Sequence, residues 1–92
     1  MSVQVRIPTP LRKITSELDV VEATGANLGA IIDDLEVNYP GMRARMVDDD
    51  GEIRRFVNVF VNGEDVRFLD GLTTAIKAGD EVSIVPAVAG GR

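Results

Sequence analysis

The 92-residue sequence contains no cysteine, no histidine and no tryptophan. Without cysteine there is no disulfide framework, no thiolate nucleophile and no cysteine-ligated zinc. Without histidine there is no imidazole base and no partner to activate a serine or cysteine nucleophile. Positive charge is also in deficit, since 10 Lys+Arg stand against 15 Asp+Glu for a formal charge of −5. That balance excludes general binding to a nucleic-acid backbone, which needs a dense basic patch. No apolar run approaches the roughly 20 residues that span a bilayer. Residues 1–10 alternate polar and apolar and lack the apolar core of a signal peptide. The chain is therefore expected to be cytoplasmic, with no membrane segment, and catalysis by a lysine, a tyrosine or a carboxylate stays open.

What is present suits one small globular domain. Hydrophobic residues make up 45% of the chain, ordinary for a folded protein and too many for a disordered one. A domain of this size is expected to be stable by about 5–9 kcal/mol. Val3, Val5 and Ile7 alternate with Gln4 and Arg6, which predicts a first strand over 2–8. Pro8 and Pro10 stop its ladder, and residues 9–15 read as a loop. Leu18, Val20 and Val21 place a hairpin partner within 17–23.

Leu28, Ile31, Ile32, Leu35 and Tyr39 fall at i, i+3, i+4, i+7 and i+11, an apolar stripe along a helix. Asn27 is its expected N-cap, and Pro40-Gly41 its end. Residues 42–51 read as irregular. A strand is expected over 53–61, with Val57, Val59 and Val61 on one face and Phe56, Asn58 and Phe60 on the other. Asn62-Gly63 predicts a type I′ turn, followed by a short return strand over 66–69. The final strand, Glu81 to Val85, is expected at the centre of the sheet beside the first and closed by Pro86.

Hairpin, helix and further strands in that order predict an α+β fold, a β-grasp as in ubiquitin-like proteins. Its mixed sheet packs on one main helix, with residues 1–86 as the domain and 87–92 as a flexible C-terminal tail. The tail runs Pro86-Ala87-Val88-Ala89-Gly90-Gly91-Arg92. A frayed terminus is the default for such a segment. A short tail directly after a last strand, with two glycines near its end, instead suits an arm that threads a narrow channel, with no Cβ beside the Gly91 carbonyl.

The sequence resembles the MoaD/ThiS class of ubiquitin-like sulfur carriers, most of all the CysO-type carriers of actinobacterial cysteine biosynthesis. The runs that carry the resemblance include Val5-Arg6-Ile7-Pro8-Thr9, Arg55-Phe56-Val57-Asn58, Glu64-Asp65-Val66-Arg67-Phe68 and Pro86-Ala87-Val88-Ala89-Gly90-Gly91. The resemblance implies a carrier rather than an enzyme. The Gly91 carboxylate would be adenylated by an ATP-dependent adenylating and sulfurtransferase enzyme and converted to a thiocarboxylate. Val88, Ala89, Gly90 and Gly91 would thread into the partners' active sites. Sulfur would pass to a pyridoxal-phosphate cysteine synthase that uses O-phosphoserine, and a JAMM-type zinc peptidase would release cysteine. ATP and pyridoxal phosphate belong to those partners, and the carrier itself would bind no cofactor and be a monomer. The same resemblance leaves open the small subunit of molybdopterin synthase, and sulfur supply to thiamine or thio-natural-product synthesis. From another class, a ubiquitin-like protein modifier stays open.

Arg92 departs from the family pattern, which ends at the second glycine. It is either a precursor residue removed by processing or a residue foreign to the natural chain. Arg55, Phe60 and Phe68 are candidate partner contacts, and for both phenylalanines a place in the core is an equal alternative. Asp48-Asp49-Asp50 lacks the alternating spacing of a calcium loop and reads as a solvated turn.

Overall fold

The computed structural model of the chain describes residues 2–86. Five strands form one mixed sheet in the order β2-β1-β5-β3-β4. They are β1 (Val3–Arg6), β2 (Val20–Ala23), β3 (Val57–Val61), β4 (Glu64–Asp65) and β5 (Glu81–Pro86). β5 lies at the centre, parallel to β1 and antiparallel to β3. The described residues also form two helices, α1 (Leu28–Asn38) and α2 (Met42–Met46). No helix among the described residues is long and apolar enough to cross a membrane.

The strand alternation explains how sheet and helix meet. Val3, Val5, Val21, Val57, Val59, Val61, Val82 and Ile84 are all buried, and they join Leu28, Ile31, Ile32 and Leu35 of α1 in one core. β-branched residues suit this pleated surface, and one residue of slip would turn the whole set to water. Tyr39 packs against the same core half-buried, at the C-terminal boundary of α1.

The start of α1 is fixed from both sides. Asn27 Oδ1 accepts from the Ala30 N–H at 2.8 Å, an N-cap worth about 1 kcal/mol. Leu28 N–H donates to Thr74 O and Ile76 N–H to Ala26 O, each at 3.0 Å. The helix is thereby tied to the segment that leads into β5.

Several segments differ from the sequence expectation. Residues 42–51 are not wholly irregular, because α2 buries Met42 and Met46 one turn apart. Its start is capped by Glu36, whose carboxylate accepts from Gly41 and Arg43 N–H groups at 2.9–3.2 Å. The second strand is shorter than 17–23, since Ser16 and Glu17 take positive φ in the preceding turn. The loop over 9–15 opens with a 3-10 turn at Thr9–Leu11. The strand expected over 53–61 begins only at Val57.

The return strand expected over 66–69 is instead β4, two residues long, followed by a 3-10 turn at Val66–Phe68. Asp65 Oδ1 accepts from the Arg67 N–H at 2.8 Å and bends the chain out of the ladder. Asn62 and Gly63 take φ of 53° and 88°, as the type I′ turn requires. Across from them, Asp80 accepts from the Asn62 side chain at 3.0 Å and from the Lys77 N–H at 2.8 Å. The Asn62 bond, then the Lys77 bond, hold the Asp80 carboxyl below its ordinary pKa.

Candidate functional site

The sheet has one covered face and one open face. On β5, Val82 and Ile84 turn inward, while Ser83 and Val85 turn outward. On β3, Asn58 and Phe60 turn outward and are half-buried. Phe60 stands opposite Ser83 on one side and Asp65 on the other. Ser83 is flanked by Arg6 of β1, and Arg6 Nε lies 2.8 Å from Glu81 Oε2. Both side chains of that pair are well exposed, so it contributes only about 0.2–1 kcal/mol.

The chain leaves the sheet at Pro86, opposite Val57. Asn62 N–H donates to Glu81 O at 2.8 Å, two rungs beyond the Phe60–Ser83 pair. Hydrogen-bonded pairs alternate along an antiparallel ladder. Phe60–Ser83 and Asn58–Val85 are therefore hydrogen-bonded pairs, and Val57–Pro86 is not. The missing N–H of Pro86 leaves no rung unmade. The expectation that this proline closes the strand is refined accordingly: Pro86 is the last residue of β5, at a rung that needs no donor.

Immediately before β3 the chain makes a turn closed by Val57 N–H on Arg54 O at 3.0 Å. Arg55 and Phe56 are its corner residues, both exposed, Phe56 by 56%. On the neighbouring 3-10 turn Val66 is fully buried and Phe68 is 87% exposed. The core alternative is thus ruled out for Phe68, whereas Phe60 is half-buried on the open face. The structure places Arg55, Phe56, Val57 and Asn58 next to the exit of the chain. The predicted tail residues Val88, Ala89, Gly90, Gly91 and Arg92 lie outside the described residues.

One residue here was not singled out by its sequence. Arg67 donates through Nη1 to Asn58 Oδ1, and through Nη2 to Arg54 O at 2.8 Å and Val57 O at 2.7 Å. Its partners are distant in sequence and two are backbone carbonyls, so no spacing pattern could reveal it. Arg54, by contrast, points away, donating from Nε to Ala44 O at 2.8 Å.

Among the described residues no group of three or more His, Cys, Asp or Glu is placed to hold a metal ion. Asp48 is committed to its own turn, where Oδ1 accepts from the Asp50 and Glu52 N–H groups at 2.9 and 3.0 Å. What the arrangement offers is a mixed polar and aromatic surface around the departure point of a C-terminal segment.

Comparison with known proteins gives consistent relatives. A model described as the ThiS family matches residues 5–91. The chain is 55% identical over 93 residues to the sulfur carrier protein CysO of Mycobacterium tuberculosis, covering 99% of this chain and 100% of that one. Its structure is similar to the crystal structure of that CysO, with a TM-score of 0.90 and 53% identity over 94% of this chain and 99% of the other. It is similar also to a chain of the Amycolatopsis orientalis BexX/CysO complex, with a TM-score of 0.91 and 50% identity over 97% and 99% of the two chains. Small archaeal modifier protein 3 of Haloferax volcanii is 36% identical over 93 residues, covering 99% and 100%.

Proposed function

The chain belongs to the ThiS family, and from that premise we propose that it is a sulfur carrier whose reactive atom is the terminal carbonyl carbon of Gly91. It is a protein substrate rather than an enzyme. The observation that carries the reading is the match to sulfur carrier protein CysO over nearly the whole of both chains. The family match ends on Gly91, which agrees with chemistry at that residue.

The chemistry needs no side chain from the carrier. A Gly91 carboxylate oxygen attacks the α-phosphorus of ATP held by an adenylating enzyme, and pyrophosphate leaves. A sulfur nucleophile then adds to the acyl carbon, and AMP departs with the electrons of the C–O bond. The product is a thiocarboxylate whose sulfur can be passed to an acceptor. We assign the acceptor to cysteine formation from O-phosphoserine, with pyridoxal phosphate supplied by the synthase and a zinc peptidase completing release. The adenylating enzyme, the synthase and the peptidase are the expected partners, and the cytoplasm the expected compartment.

Geometry limits how such partners dock. The five residues 87–91 can reach at most about 18 Å beyond Pro86 when fully extended. A partner must therefore seat against the body close to the exit, where Arg55, Phe56, Phe60 and Phe68 are available. Phe68→Ala is expected to raise KM for the adenylating enzyme about 10-fold, as loss of an aromatic anchor does. Because Phe68 is 87% exposed, its melting temperature should stay near that of the parent. An unchanged KM would remove Phe68 from the interface.

The direct test is intact-protein mass spectrometry of the chain from its native host, or after reaction with adenylating enzyme, ATP and sulfide. Replacement of one oxygen by sulfur, localised to Gly91, is the expected result. Its absence from a chain ending at Gly91 overturns the proposal. The likeness to small archaeal modifier protein 3 favours a second reading, attachment to lysines of other proteins, and isopeptide-linked Gly91 in the same spectra would select it.

A further inference from the structure

The start of β3, which lies opposite the end of β5, is held by a single guanidinium that belongs to neither strand. Arg67 Nη2 donates to both Arg54 O and Val57 O, the two ends of the turn that carries Arg55 and Phe56. Nη1 reaches Asn58 Oδ1, the side chain opposite Val85 on the open face. The backbone N–H of the same residue is fixed by Asp65, and the next residue is the exposed Phe68. The Arg67 side chain thus ties together the turn before β3 and the Asn58 side chain of the last hydrogen-bonded rung, while its backbone N–H anchors the 3-10 turn that presents Phe68.

We propose that Arg67 is a positioning residue that fixes the last β3–β5 rung and the Arg54–Val57 turn, and so sets the direction in which the chain leaves at Pro86. An arginine suits this task and a lysine does not. The planar fork donates to three acceptors in fixed directions, whereas an ammonium on a flexible stem is a point charge. Arg67 lies at the surface, so its bonds contribute little to global stability. Their consequence is local order at the end of a short strand, where ladders open most readily. The functional part of the inference rests on the carrier reading: a reactive terminus held off its line of approach reacts slowly even when the body docks normally.

The test compares Arg67→Gln and Arg67→Lys with the parent, each ending at Gly91. Amide hydrogen exchange reads the last rung without reference to any activity. Exchange at Asn58 and Val85 should quicken about 10-fold relative to Phe60 and Ser83, the signature of local rather than global opening. Core amides such as Val5 and Val59 should be unaffected. The lysine variant should behave like the glutamine variant, because the fork and not the charge does the holding. Uniform acceleration at all these amides, or wild-type exchange at Asn58 and Val85, overturns the proposal.

Steady-state adenylation supplies the second reading. In both variants kcat should fall about 10-fold or more with KM nearly unchanged, as for a displaced reacting group. A rise in KM at constant kcat would make Arg67 a contact for the partner and overturn the positioning role. If the parent chain ending at Gly91 accepts no AMP, the carrier reading fails, and the exchange pattern still decides what Arg67 does to the rung.

Discussion

Removing Arg92 is expected to switch the chain from inert to reactive toward its adenylating enzyme. In the 92-residue sequence the carbonyl of Gly91 is part of a peptide bond to Arg92. An amide oxygen is a poor nucleophile, and in a chain that ends at Arg92 the free carboxylate is attached to a Cα that bears a long cationic side chain. A channel narrow enough to require two glycines has no room for that Cα substituent. The chain ending at Gly91 should form acyl-AMP with release of pyrophosphate, while the chain ending at Arg92 should release none above background. A carboxypeptidase specific for terminal basic residues should convert the second behaviour into the first, with mass spectrometry following the loss of one arginine. The comparison is internal, since both chains share the same body. Adenylation of the untrimmed chain would show that the reactive carboxylate is not that of Gly91, and would move the whole mechanism to another residue.

The strands and the main helix were legible because each expresses a long-lived period. Val3-Val5, Val57-Val59-Val61 and Val82-Ile84 alternate cleanly, and Leu28 to Tyr39 keep the helical stripe for three turns. Helix α2 was not legible, for it has only five residues and two buried methionines, and its cap is the Glu36 carboxylate reached through the fold. The early end of the hairpin had a local cause that the alternation hid. Asp65 caps the next turn with its own side chain, so the chain abandons the ladder after two residues.

The candidate site divides in the same way. The Gly-Gly ending and the aromatic candidates for partner contact are properties of sequence and could be named from it. Whether Phe60 and Phe68 face water depends on strand register and on where β4 stops, and the structure separates them into half-buried and 87% exposed. Arg67 is at the opposite limit. Its role consists of bonds to groups that become neighbours only when β3, β4 and β5 have assembled.

Two glycines four positions apart are expected to respond to alanine with opposite signs. Gly25 lies between β2 and the N-cap of α1. A Cβ there would stand 2.7 Å from Ile31 N and 2.8 Å from both Ala30 C and Ala30 Cβ. Two of those atoms are helix backbone and the third is the stub of a side chain, so no rotamer change relieves the contact. The first turn of α1 would have to move, and with it Leu28, Ile31 and Ile32, which are at most 1% exposed in the core. Overpacking against a rigid element costs about 2–3 kcal/mol, roughly a quarter to a half of the stability of a domain this small. For Gly25→Ala the corresponding fall in melting temperature is about 10–20 °C. Gly29 sits inside the first turn of α1, and its Cβ would meet Leu72 O at 3.4 Å and Asn27 Oδ1 at 3.5 Å, which is ordinary contact. Gly29→Ala replaces a poor helix former with the best one and should raise stability by up to about 0.5–1 kcal/mol. Thermal and denaturant unfolding of the two variants beside the parent measures both. A Gly25→Ala protein as stable as the parent would mean that the β2–α1 connection can yield where its contacts say it cannot.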